Sequence, residues 1–167
     1  TSVSITALKN GLSQGQVYTT GSSSWSYTMS VAGGANDGLW SFTITALDAA
    51  NRTTVVNRTV RVDTQAPSVT ISLPTAGTYV TGTTYTASGG ASDGGTLALV
   101  QYSTDNVNWY GATGLNSWTV SLNLISLGEG SRTLYIRARD AAGNQGDPLT
   151  RSFIVDTNPP ALTETGV

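Results

Sequence analysis

Chemistry in this sequence falls to its carboxylates. There is no His and no Cys, so zinc sites, disulfides and a His general base are excluded. Glycoside hydrolysis would need two facing carboxyls. The only Glu residues are Glu129 and Glu164, and neither has a matching partner in a plausible cleft, so no enzyme is expected. Eight Asp remain. Asp48 and Asp140 each end a strand at a hairpin, where a carboxylate accepts backbone N–H bonds and fixes the turn; the sharper reading is a calcium ligand. Asp37, Asp63, Asp93 and Asp147 lie on loops or linkers.

Three other groups could recognise a ligand. The stretch YSTDNVNW at 102–109 approaches the Asp-box of sialidase propellers but is one residue too short between Asp105 and Trp109 and lacks the Gly. It reads more simply as a two-residue turn between neighbouring strands. Of the four Trp, at 25, 40, 109 and 118, three alternate in phase with aliphatics and read as core. Trp109-Tyr110 stands beside a turn and is the candidate for stacking on a sugar. Arg58 and Arg151 recur on the face that carries Val60 and Phe153. Because a buried charge is costly, a bulge or a guanidinium over an aromatic ring at the rim is the expected explanation.

The elements that position these residues come as a repeat. RTLYIRARDAAGNQGDPLTRSFIVDTNPP at 132–160 parallels WSFTITALDAANRTTVVNRTVRVDTQAP at 40–67. The pairs Trp25/Trp118, Arg58/Arg151, Asp63/Asp156 and Pro67/Pro160 are 93 positions apart, and Asp48/Asp140 are 92 apart, so one residue has slipped inside the repeat. A fixed long period marks an array of like units.

The second repeat alternates Val69, Ile71 and Leu73; then Ala98, Val100 and Tyr102; then Trp118, Val120, Leu122 and Leu124; then Leu134, Ile136 and Ala138; and ends on Phe153 and Val155. Tyr79–Ala87 reads as a strand pair through Gly82, and GGASDGG at 89–95 as a loop. This is seven short strands without a helical period, which predicts a complete antiparallel sandwich over residues 67–157. In the first repeat Ile5 aligns with Val100, and Trp25, Tyr27, Met29 and Val31 align with the Trp118 strand. Trp40, Phe42, Ile44 and Ala46 align with the Leu134 strand, and Val60 and Val62 with Phe153 and Val155. Nothing aligns with Pro67–Leu97. The domains predicted are therefore residues 1–63, an immunoglobulin-like repeat lacking its first two strands; 64–157, a complete repeat; and 158–167, the start of a third or a tail. The incomplete repeat is expected to self-associate, with Ala161–Val167 as an added strand.

Charged residues are 11% of the chain, and Ser and Thr stand where Lys and Glu usually do. That favours strands. The net charge of −2 argues against nucleic acid, and no apolar run approaches a membrane span.

The phrases ARDAAGN at 138–144, FIVDTNPP at 153–160, VRVDTQAP at 60–67, YSTDNVNW and SWTVSLNL at 117–124 resemble the bacterial Ig-like (BIg) repeats of large surface proteins and adhesins. The first repeat departs from the pattern, with Asn51-Arg52 where the second has Gly143-Asn144. The resemblance implies an all-β fold of tandem immunoglobulin-like antiparallel sandwiches and a non-catalytic module, extracellular or at the cell surface, serving as stalk or spacer. Its alternatives are a cell-adhesion module for a host protein or glycan, and an accessory domain of a secreted hydrolase. Sandwich topology puts Asp93, Asp140 and Asp147 at the domain end nearest the linker carrying Asp63, and brings Asp37 there from the preceding repeat. Calcium takes about 6–8 oxygen ligands, and bare carboxylates so close would repel. Some BIg adhesins bind calcium at their junctions, which the resemblance extends to these five Asp. The simpler reading is that they are ordinary solvated turn residues.

Overall fold

The computed structural model describes residues 2–18, 24–31 and 33–164. The chain forms two compact units, Thr1–Gln65 and Ala66–Val167. Both are built mainly of antiparallel strands, and the fold is all-β.

The first unit holds β1 (Ser2–Lys9), β2 (Leu12–Tyr18), β3 (Gly38–Leu47) and β4 (Thr53–Val62). They make one antiparallel sheet in the order β2-β1-β3-β4. Asn10 and Gly11 both take positive φ, as a tight β1–β2 hairpin requires. The Asn10 side chain also accepts from the backbone N–H of Leu39 at 2.9 Å, tying the hairpin to the start of β3. Alternation along β1 buries Val3 and Ile5, which cluster with Ile44 and with the half-buried Tyr27, Phe42 and Ala46. Trp40 is buried, donates its indole N–H to Asn36 O at 2.8 Å and stacks on Phe42.

The second unit is a sandwich. Its strands are β5 (Ser68–Leu73), β6 (Tyr79–Val80), β7 (Thr84–Ser92), β8 (Leu97–Ser103), β9 (Tyr110–Gly111), β10 (Ser117–Asn123), β11 (Gly130–Asp140) and β12 (Leu149–Val155), with one helical turn, α1 (Leu124–Leu127), after β10. A three-stranded sheet β10-β7-β5 faces a five-stranded sheet β6-β12-β11-β8-β9. Between them lie Ile71, Val100, Trp118, Val120, Leu134, Ile136 and Phe153, with Val69 and Tyr102 half-buried against them. These are the positions that period-two alternation predicts.

Five expectations of strand extent, pairing or burial fail. Residues 89–92 belong to β7 and are not loop. The glycines are there because a Cβ on Gly89 would lie 1.9 Å from Thr70 O and 2.4 Å from the Trp118 ring. Tyr79–Val80 pairs in parallel with β12, not with β7. Leu73 turns outward because the β5–β7 register shifts after Ile71, and the adjoining Pro74 is buried instead. Ala98 is exposed because a register shift against β11 advances the phase by one, so Leu97 and Val100 point inward. The last failure is Trp25, which is 45% exposed and not core.

The ladders show how the units correspond. Phe42 faces Arg58 in β3–β4, and Leu134 faces Arg151 in β11–β12. Val3 faces Ala46 and Val100 faces Ala138. Val3, not Ile5, is therefore the counterpart of Val100, two residues from the sequence alignment. The first unit's sheet repeats β9-β8-β11-β12. Its residues 24–31, aligned with β10, form no strand, and no described residues of this unit occupy the places of β5 and β7. With no second sheet among the described residues of this unit, Trp25 is left exposed.

Candidate functional site

Asp140 continues the inward phase of Leu134, Ile136 and Ala138, so its carboxylate reaches the end of β11 at 2% exposure. It is held by its own hairpin. One oxygen accepts from the N–H groups of Gly143 at 2.7 Å and Asn144 at 2.8 Å, and the other from the Asn144 side-chain amide at 2.8 Å. Burial pushes its pKa up, but these bonds outweigh it and hold the group below the ordinary 3.8.

Asp48 repeats the device at the end of β3. It accepts from Ala50 N and Arg52 N, and its second oxygen pairs with Arg52 Nε at 2.7 Å. The Arg52 backbone and side-chain bonds lower its pKa. Arg52 thus takes the place of Asn144. Both Asp fix the turns that follow them.

The Asp105 turn is built similarly but is longer than the expected two residues, running 104–109 between β8 and β9. Asp105 accepts from the Asn108 side chain, from the backbone N–H groups of Asn108 and Val107, and from Ser103 Oγ. Those four bonds, the Asn108 side chain foremost, hold its carboxyl far below the usual range. Behind the turn, the Arg137 guanidinium lies 3.9 Å from the Trp109 ring centroid. One face of Trp109 is therefore already occupied by a cation, while Tyr110 is 57% exposed. The Arg-over-ring arrangement expected at Arg151 occurs here instead. Arg151 reaches across the sandwich and donates to Ile71 O of β5 at 3.0 Å.

The five calcium candidates distribute as follows. In the second unit, Asp93 and Asp140 bring carboxylate oxygens within 4.8 Å of each other. Asp93 also accepts from Gly95 N at 2.7 Å, and Asp147 is exposed on the β11–β12 loop. In the first unit, Asp37 accepts from Thr64 N and Oγ1 at 3.1 and 2.9 Å, and Asp63 accepts from Gln65 N. The half-core that a repeat without its first two strands is expected to leave open is a groove of about 300 Å³ in the first unit, lined by Ile5, Trp25, Tyr27, Phe42, Arg58 and Val60, although Trp40 is buried. The signal was present in the missing alignment to Pro67–Leu97, which removes whatever would cover these residues.

Residues 67–136 match the model of a family described as bacterial Ig domain. No curated protein sequence matches the chain. Solved structures similar to it include the fibronectin(III)-like modules of Clostridium thermocellum CbhA, at 14% identity and TM-score 0.49, covering 96% of this chain and 83% of that one. An endo-beta-1,4-mannanase from Thermotoga petrophila matches at 13% identity and TM-score 0.48, covering 57% of this chain and 21% of that one. A Ca2+-stabilized adhesin with which an Antarctic bacterium binds ice matches at 22% identity and TM-score 0.34, covering 96% and 41%. The chain spans well under two thirds of the mannanase and adhesin chains. Residues 67–136 are thus similar to a bacterial Ig domain, and the first unit repeats one sheet of the second.

Proposed function

We propose that the chain is a non-catalytic spacer module of an extracellular bacterial surface protein. The observation that supports this reading is the ladder-for-ladder recurrence of one sheet, with Arg58/Arg151 and Asp48/Asp140 in the same places. Repetition adds length, and the recurrent polar residues are spent on turns and on joining sheets. Among the described residues no helix is long and apolar enough to cross a membrane. The test displays a reporter binding head on cells through this chain, or through an unrelated spacer of equal length. Equal capture is expected. Capture that fails with the unrelated spacer, or saturable binding of the free chain on a glycan array that Tyr110→Ala abolishes, would overturn the reading in favour of adhesion.

The closeness of Asp93 and Asp140 favours one addition, that the second unit binds calcium there. Two carboxylate oxygens within 4.8 Å suit an ion with ligands at about 2.3–2.6 Å. The oxygens also keep lone pairs beyond those given to backbone donors. Calcium is then expected to raise the melting temperature of the second unit, and Asp93→Asn to remove the rise. A melting temperature indifferent to calcium and chelator rejects the site.

A further inference from the structure

We propose that the open face of the first unit is an acceptor for a pair of strands of the β5–β7 kind, entering at the N-terminal end of β1, with Arg58 as the clamp on their backbone. The inference is independent of the spacer reading.

The two units show the same face closed and open. In the second, Phe153, Leu134 and Trp118 are all at 1% exposure or less. Their counterparts are Val60, Phe42 and Trp25, of which Val60 is 50% and Trp25 45% exposed. What closes the second unit is specific: Ile71 from β5 and Ala87 and Ala91 from β7 fill the space, and Gly89 lets the Trp118 ring lie against backbone. The occupant of the first unit should therefore be two extended strands with small and aliphatic residues inward and a Gly against Trp25.

Arg58 supplies the polar complement. Its twin Arg151 donates to a main-chain carbonyl, Ile71 O, so the contact reads the backbone of β5 and not a side chain. Arg58 stands at the same ladder position, lines the groove, and donates to the carbonyl of its own neighbour Asn57 at 2.9 Å. A guanidinium facing an apolar groove is complementary to the carbonyl dipoles of an incoming strand. A place for the second strand exists as well. Trp118 pairs with Gly89 and Val120 with Ala87, whereas the aligned residues Trp25 and Tyr27 lie in a segment without a ladder. The direction of entry follows from the repeat. β7 leads through residues 93–96 into β8, and Val3 holds the place of Val100. Residues 161–164, by contrast, form no strand; the rest of the tail, 165–167, lies outside the described residues.

Because the sequence contains no Cys, Met29→Cys in the groove gives a single reporter thiol. The full chain is compared with one carrying a second copy of residues 66–98 directly ahead of Ser2. Thiol labelling is expected to slow by roughly tenfold or more in the extended chain, because a covered site reacts only through local opening. Arg58→Ala in the extended chain should return most of the rate. An unchanged rate, with the second unit's melting transition intact, overturns the proposal. So does protection that already rises with concentration in the unextended chain, since that would assign the face to a second copy. If the extended chain does not fold, excess synthetic peptide of residues 66–92 added to the full chain decides by the same labelling: protection supports the acceptor, and its absence refutes it.

Discussion

Asp140 carries its charge at the end of the core because the hairpin that follows it returns three N–H donors. Removing the carboxylate leaves those donors without a partner where water is scarce. Asp140→Ala is therefore expected to cost roughly 1–3 kcal/mol in urea unfolding of the second unit, and Asp48→Ala, at a wetter site, visibly less. The pKa direction fixes the pH dependence. Asp140 and Asp105 are held below 3.8 in the folded chain, so the unfolded chain binds more protons near that pH. Their stabilisation is present above about pH 4 and is lost as pH falls through the folded values. With no His, melting temperature should be flat from about pH 8 to 5 and fall below about 4. A fall that begins near pH 6 would contradict this. Asp140 was legible as a turn residue from its place after an alternating strand. The Arg137–Trp109 contact was not, because it joins the turn after β8 to a residue of β11, which only the β8–β11 register brings together.

At the scale of elements, alternation identified β10, β11 and β12 almost completely, since each is regular and half-buried. It failed where the ladder slips, as at Leu73 and Ala98, because one bulge reverses every later side chain. It failed also at Gly89, where a residue that usually marks a loop is demanded inside a strand by the Trp118 ring. Gly89→Val should therefore destabilise the second unit by about 3 kcal/mol, the upper end for overpacking, whereas Gly94→Val, with open space around its Cβ position, should be tolerated. The repeat offers a sharper comparison. Phe153 and Val60 hold one ladder position in two environments. Truncating Phe153 to Ala is expected to cost roughly 3–5 kcal/mol, and truncating Val60 less than about 0.5 kcal/mol. Comparable losses would mean that Val60 is covered in solution.

For the molecule as a whole, the contrast among the described residues is between a sandwich closed on both sides of its core and a single sheet with three buried aliphatics in its cluster. Hydrogen exchange should report it: backbone amides of β3 and β4 are expected to exchange well before those of β11 and β12, which open only with the global unfolding of their unit. Equal protection would show that the first unit has acquired a second layer. The parallel pairing of β6 with β12 has a mechanical consequence. If the second unit is pulled by its two ends, β12 is drawn toward its C-terminus while β6 is drawn toward its N-terminus. Two parallel strands loaded that way slide lengthwise. Their bonds, Gly77 N to Ser152 O, Ile154 N to Thr78 O and Asp156 N to Val80 O, then bear the tension together, in shear, instead of parting one after another like a zip.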